Sequence, residues 1–468
     1  MNQLLNKYNF LFLFLFIISF GLIVKQNYPY WDDYVLFNQS YETLYPLYHD
    51  HGTHYFGITY LICFINAIVH NILWIRILNF ALFIGTAYMF CRILKEFFQF
   101  KKESLYIIFC LFIFLPFFQI RSSYNVLVYN LCFLLFAIAT YLYFKKHFKL
   151  ALCFFMIAFI TNSFIPLFIF VFFLVHGLQF YKQLLHLIIV PVFWLYKIYI
   201  AHSNGVFALE AYNKVGLKSI RKAMFSMDNV LKDGYINFKN YFLSIDTPQW
   251  YIIPCLFIII IIVLFKYKIS IQFSWQRRMI FMLGAIFLIF LGIFPYAIVS
   301  KMPSGLFYES RFQMLLSIGF SLFIFSLYEL FYFCLPWLAN IFFSALIALF
   351  VFFNYSFQKD LLINSMEQIR VFEYVQKHFK DNQSLLLKIN SVSPIFYDIH
   401  VWRIYEYGAY CKLHNFKQNK IVYYNTVLTL EEIEANKKIN YYFVNDFNTK
   451  DYTIDSINVN FARTKLYF

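Results

Sequence analysis

From about residue 8 to residue 353 the chain passes through one apolar stretch after another, separated mostly by short polar turns. A helix needs about 20 apolar residues to span a bilayer. Stretches near that length fall at 8–24, 76–94, 104–119, 125–144, 150–162, 164–181, 184–201, 250–266, 279–299, 312–333 and 336–353. Charged residues make up 13% of the chain, against roughly 25% in soluble domains. The expected fold is mainly α: a polytopic membrane helix bundle of about eleven spans plus an interfacial helix segment, with a small C-terminal α/β extramembrane domain. The N-terminal stretch lacks a small-residue cleavage site and reads as a retained first span.

Segment 56–74 decides the topology. If it crosses, Lys95, Lys101, Lys102, Lys145, Lys146 and Lys149 lie opposite the N-terminus. If it lies in the interface, these residues share a side with Lys7, Lys182, Lys266, Lys268, Arg277 and Arg278, as the positive-inside rule requires. Asn66, His70 and Asn71 suit an interfacial helix. On that reading the outer side receives a first loop, 25–75, and a long loop, 202–249. It also receives a tail from residue 354 onward. The division is therefore 1–353 for the membrane domain and 354–468 for an extracytoplasmic α/β tail. The tail carries a helical pattern over 360–379 and β-like runs at 384–389, 421–424, 441–444 and 452–461.

The net charge of +15 is loop Lys and Arg that orient spans and meet anionic headgroups. No basic run interleaved with aromatics on a soluble domain points to nucleic acid. The eight cysteines are scattered singly, with neither metal spacing nor a disulfide framework.

Only six acidic residues occur in the first 200, and four of them, Asp32, Asp33, Glu42 and Asp50, fall in the first loop. Charge beside a membrane is costly and marks candidate sites. A carboxylate in a partly desolvated cleft has raised proton affinity and serves as a general base toward a hydroxyl. Asp32 and Asp33 are the candidate catalytic pair. His49, Asp50, His51 and His54 allow a divalent metal in principle, but a wet loop of interfacial histidines is favoured, and no cofactor is expected. Arg76 opens a span, and Arg121 sits in a short turn with Tyr124. Lys301, Tyr308, Glu309 and Arg311 gather at another outer end. Lone arginines at span ends often snorkel to headgroups. Guanidinium groups also grip phosphate in a bidentate fashion. Two acids and several cations at one face suit a lipid-phosphate substrate whose leaving charge is stabilised by Arg or Lys. His54, Arg76, Arg121, Tyr124, Lys301, Tyr308, Glu309 and Arg311 are the candidate substrate-binding residues.

The order of motifs resembles the GT-C superfamily of polyprenyl-phosphate-sugar-dependent membrane glycosyltransferases. After the first span comes Trp31-Asp-Asp-Tyr34, then His51-Gly-Thr-His-Tyr55 before the interfacial stretch. Arg76-Ile-Leu-Asn-Phe-Ala81 opens the next span, which ends at Cys91-Arg-Ile-Leu-Lys95, and Arg121-Ser-Ser-Tyr-Asn125 forms a second outer motif. The resemblance covers about residues 8–180, and the remainder as general architecture. It implies a catalytic base in the first loop, Asp32 or Asp33, with Asp33 slightly preferred. It implies a polyprenyl-phosphate-linked sugar donor and a glycan, lipid or protein acceptor; the AT-rich flavour of the composition and the lack of eukaryotic sorting signals suggest a multi-pass location in a bacterial cytoplasmic membrane, with the site outside. The second outer motif has no acidic residue, Pro46 only loosely echoes the family's turn, and no Trp-Trp-Asp-Tyr-Gly is present. Transfer of a whole glycan to Asn is therefore not expected.

Other readings stay open. A polysaccharide polymerase or ligase would use a large late loop such as 202–249. A transporter or flippase predicts repeats and charges near the midplane, neither of which is visible. A non-catalytic assembly subunit is a further alternative. An acyltransferase would need a His-centred site, and His70, His176 and His186 have no evident partner in the sequence.

Overall fold

The structure, a computed structural model, describes residues 2–25, 29, 32–204, 232, 239, 252–266, 274–299, 311, 313–378, 384–391, 404–414, 421–424 and 452–459. Among the described residues, six helical runs are long and apolar enough to cross a membrane: Ile72–Phe98, Tyr124–Phe144, Asn162–Tyr199, Trp275–Ala297, Leu316–Cys334 and Pro336–His378. The chain is a helical membrane bundle. The loop 202–249 and the run 441–444 lie outside the described residues, apart from residues 202–204, 232 and 239.

In chain order, α1 is Asn2–Phe20 and continues as a 3₁₀ turn to Lys25. The first loop holds α2 (Asp33–Leu36), α3 (Tyr41–Asp50) and α4 (Ile58–Ile68). Then come α5 (Ile72–Phe98), α6 (Lys102–Phe114), α7 (Leu127–Phe144), α8 (Phe148–Ala158), α9 (Ile165–His176) and α10 (Ile189–Tyr199). The later helices are α11 (Ile252–Lys266), α12 (Trp275–Ala297), α13 (Leu316–Cys334), α14 (Pro336–His378) and α15 (Ile404–Leu413). Strands β1 (Ser384–Ser391), β2 (Ile421–Tyr424) and β3 (Tyr452–Val459) pair in parallel in the order β2-β1-β3, with Ser384 opposite both Ile421 and Tyr452.

Several helices differ from the expected spans for identifiable reasons. The stretch 104–119 stops being helical at Phe114, because Pro116 lacks an N–H and forces Leu115 out of the α region (φ −51, ψ 126). The stretches 164–181 and 184–201 fall within the helical run Asn162–Tyr199, which is broken at Gly177 (φ +50) between α9 and a 3₁₀ run that leads to α10. Helix α5 starts at Ile72 because the Asn71 side chain accepts the Leu73 N–H at 2.8 Å. Arg76 therefore sits one turn inside the helix. Helix α4 has 11 residues, about 16 Å of rise, too short for a core about 30 Å thick. The 43-residue α14 is about 65 Å long. It joins the expected span 336–353 to the helical pattern at 360–379, since no Pro or Gly follows Pro336 within it.

Where α12 and α13 cross, the backbones come close. A Cβ on Gly319 would lie 2.7 Å from the Ile289 N and 3.1 Å from the Ala285 O. Small residues permit such approaches between membrane helices.

The bundle has two distinguishable ends. At one, Asp33 meets Ser123, Tyr34 meets Phe372 and Tyr410, and the Asn354 side chain donates to the Phe114 O at 2.7 Å. The Asn204 N–H donates to the Asp50 O at 2.7 Å at this end too. This is the acidic-loop end. At the other, Arg277 donates to the Phe98 O at 3.1 Å, and Lys145 pairs with Glu96 at 2.6 Å. This is the basic end.

Candidate functional site

The site begins with a broken helix. Carbonyls at the end of α6 and in the turn after it have no intrahelical donors, and they lie among phenylalanines, where an unmet acceptor costs several kcal/mol by transfer scales. Arg121 meets them. Its Nε donates to the Phe118 O at 2.6 Å, its Nη2 to the Leu115 O at 2.8 Å and its Nη1 to the Ile113 O. Asn354 takes the Phe114 carbonyl between them. The guanidinium lies over the Phe20 and Phe83 rings at 5.2 and 5.1 Å and has no solvent exposure. Arg121 is thus withdrawn from the phosphate-binding set: it is a helix cap that folds the turn after α6.

That turn is fixed from the other side by two asparagines inside apolar helices. The Asn79 Nδ2 donates to the Ser123 O at 2.8 Å, while the Asn130 Nδ2 donates to the Asn79 Oδ1 at 2.8 Å and to the Arg121 O at 3.0 Å. All are fully buried. A hydrogen-bonded polar network in a low-dielectric interior rigidifies what it holds, although the Asn130 Oδ1 in this one is buried without a partner among the described residues. What it holds here is Ser123.

Ser123 presents its hydroxyl to Asp33. The Oγ donates to the Asp33 Oδ1 at 2.6 Å, and the Asn125 backbone N–H donates to the same oxygen at 3.2 Å. The Ser123 Oγ also lies 3.0 Å from the Asn125 side-chain amide. A hydroxyl has one proton. With that proton on the carboxylate, the amide must turn its nitrogen toward Ser123. Asp33 has no solvent exposure.

The loop carrying Asp33 is clamped along its length. The Gln39 Nε2 donates to the Tyr34 O at 3.0 Å and to the Ala409 O of α15 at 3.3 Å. The Asn66 Nδ2 of α4 donates to the Leu36 O at 2.7 Å and receives the Tyr124 hydroxyl on its Oδ1 at 2.9 Å. The Tyr34 ring stands edge-on to Phe372 and Tyr410, with centroids 6.0 and 5.9 Å away. Behind this loop Gly52 has φ +73, and a Cβ there would collide with the Ala201 carbonyl oxygen, so only glycine fits.

The other expected site residues divide. Asp32 is half-buried at the start of α2. Arg76 is fully buried within α5. Tyr124 is buried and serves the clamp on Asn66. The Arg311 guanidinium lies within electrostatic range of Tyr296, which sits beside Ser163 and within range of Tyr129. Tyr48 is in range of Tyr129, and Tyr124 is in range of both Tyr48 and Asp33. Burial is the main cause that lifts the Tyr48 phenol above its ordinary pKa, with Cys63 and Tyr129 adding to it. Trp31, Lys301, Tyr308 and Glu309 lie outside the described residues.

The first-loop histidines His49 and His54 both pack on the Tyr45 and Tyr55 rings. His54 Nδ1 pairs with the Thr59 hydroxyl at 3.0 Å, and its ring packs on Tyr45 with centroids 4.6 Å apart. His49 shares its Nε2 with the Tyr55 hydroxyl at 3.2 Å and faces Asp50 at 3.5 Å through Nδ1. Among the described residues no group of three or more His, Cys, Asp or Glu is placed to hold a metal. Burial, and then the neighbouring His49, lower the His54 pKa.

Sequence reasoning passed over Ser123, Asn125, Asn79, Asn130, Asn66 and Gln39 as site residues. Asn79 and Asn130 did carry a signal: an amide within an apolar span needs a partner.

No protein-family model, curated protein or solved structure matches the chain. The functional reading therefore rests on the site itself.

Proposed function

We propose that the chain is a membrane glycosyltransferase of the GT-C kind, moving one sugar from a polyprenyl-phosphate donor to a hydroxyl of a glycan, lipid or protein. Asp33 is the general base. The observation that carries this reading is the Ser123 hydroxyl, 2.6 Å from the Asp33 Oδ1. It marks the place and distance at which an acceptor hydroxyl would give up its proton once Ser123 turns aside. In the transfer the acceptor O–H proton passes to Asp33 and the oxygen bonds to the anomeric carbon. The bond from that carbon to the phosphate oxygen breaks, and polyprenyl phosphate leaves. Arg311 receives the phosphate charge, and Lys301, Tyr308 and Glu309 are further candidates for that role by sequence. Tyr124 and Asn66 hold the loop, and Arg121 holds the turn.

The same reading sets the membrane orientation. The acidic-loop end faces outward from a bacterial cytoplasmic membrane, because the lysine-rich turns then lie inside. The chain crosses about eleven times, and residues 354–468 include a small α/β unit on the outer side.

The reading is tested with the full chain in lipid nanodiscs, given a panel of polyprenyl-phosphate hexoses and pentoses. Sugar-dependent release of polyprenyl phosphate is expected with at least one donor. No release with any donor, together with unchanged surface glycan in cells lacking the protein, overturns it.

A further inference from the structure

At the basic end, Tyr143 closes α7. From Tyr124, 19 residues earlier, the rise is about 28 Å, so this residue and Asp33 are on opposite sides of the bundle. Tyr143 has no solvent exposure. Its hydroxyl lies 2.8 Å from the His176 Nε2 and 2.8 Å from the His186 Nδ1. The chain is shaped to bring these together. His176 ends α9, Gly177 leaves the helix with φ +50, and a 3₁₀ run over Gly177–Ile188 returns His186 to the same place. The two imidazole centroids are 5.6 Å apart, and the Phe148 ring packs on both, at 5.6 and 4.7 Å.

We infer that Tyr143, His176 and His186 form a binding site for a late first-row divalent cation such as Zn(II) or Cu(II). Three lone-pair donors, two nitrogens and one oxygen, aim at one another. In the neutral state a single phenol proton and one imidazole N–H are shared over the two contacts, so one imidazole must donate and the other accept. A cation serves all three donors at once. Tetrahedral sites with bonds of about 2.05 Å have ligand–ligand edges of about 3.3 Å. Each 2.8 Å contact therefore needs to open by about half an ångström. Imidazole and phenolate suit Zn, Cu and Ni rather than Mg or Ca, which take harder all-oxygen sets. Tyr143 is anchored on α7 against Phe148 and Phe155, with centroids 4.9 and 5.9 Å away. The histidines are half-buried, which gives an ion and a fourth-position water a way in. On binding, the Tyr143 phenol proton leaves to solvent, the imidazole that donated to Tyr143 shifts its N–H to the other ring nitrogen, and both imidazoles then carry their N–H on the nitrogen facing away from the ion.

The test uses the full chain in detergent, carrying an affinity tag without histidine and stripped with chelator. Zn(II) is titrated against a chromophoric competitor, and Cu(II) is followed by electron paramagnetic resonance and absorption. One Zn(II) per chain is expected, together with coupling to two nitrogens and a phenolate-to-copper charge-transfer band. His176→Ala and His186→Ala should each weaken Zn(II) by more than the roughly 10–100-fold that an outer-shell loss costs. Tyr143→Phe should abolish the charge-transfer band, and Asp33→Asn should leave binding unchanged. The wild-type copper spectrum needs no variant, so a misfolded mutant does not decide the outcome. Absence of stoichiometric Zn(II), a spectrum without nitrogen coupling, or equal affinity in folded histidine variants overturns the site and leaves the triad a hydrogen-bonded latch.

Discussion

The two ends of the bundle carry charge in opposite ways. At the basic end, Arg92, Glu96 and Lys145 form a surface cluster, with Arg92 and Lys145 on the two carboxylate oxygens at 2.9 and 2.6 Å. These side chains are a quarter to nearly half exposed. At the acidic-loop end, Asp33 and Arg121 have no exposure at all, and their partners are buried hydroxyls, amides and carbonyls. Exposed pairs are screened and worth little. A buried charge persists only where the surrounding structure satisfies it, and removing its partner is expensive. One end thus carries its charge in exposed pairs, and the other buries it among groups that hold a carboxylate in one place.

The contrast makes graded predictions. Arg121→Met leaves the Ile113, Leu115 and Phe118 carbonyls without that donor, and should cost about 3 kcal/mol or more. It is read as a large fall in melting temperature of the detergent-solubilised protein. Asn79→Leu keeps the volume but removes the donor to Ser123 and the acceptor for Asn130. It should cost about 2 kcal/mol, with a matching loss of polyprenyl phosphate release. A smaller effect concerns pH. The folded His54 pKa is lowered, so its neutral form contributes stability above the unfolded value of about 6.5. That contribution is lost as pH falls through the folded value, and His54→Gln should flatten the acid-side decline in melting temperature. Smallest of all, Glu96→Gln at the basic end should leave the melting temperature unmoved within error. A fall as large as that of Asn79→Leu would erase the distinction between the ends.

The sequence made parts of this legible. The acidic doublet stands out because only six acidic residues occur in the first 200, and the Arg121-Ser-Ser-Tyr-Asn125 turn because it sets a charge in a short break between two apolar stretches. That Ser123 faces Asp33 across 90 residues could not be read, since pairing depends on how α5, α6 and α7 pack. Arg121 was visible as a charge but its role was not. Pro116 shortens α6, and only the folded chain reveals that the freed carbonyls surround the guanidinium. His176 and His186 lacked a partner in the sequence because Tyr143 comes from another helix. The extent of α14 was in principle readable from the absence of Gly and Pro. The polar residues after Asn354 instead gave the appearance of a boundary.

The most direct measurement compares Asp33→Asn, Asp32→Asn and Ser123→Ala for polyprenyl phosphate release at matched melting temperature. The account predicts that Asp33→Asn falls roughly a hundredfold or more, while Asp32→Asn and Ser123→Ala retain measurable turnover. Full activity in a folded Asp33→Asn variant would contradict it.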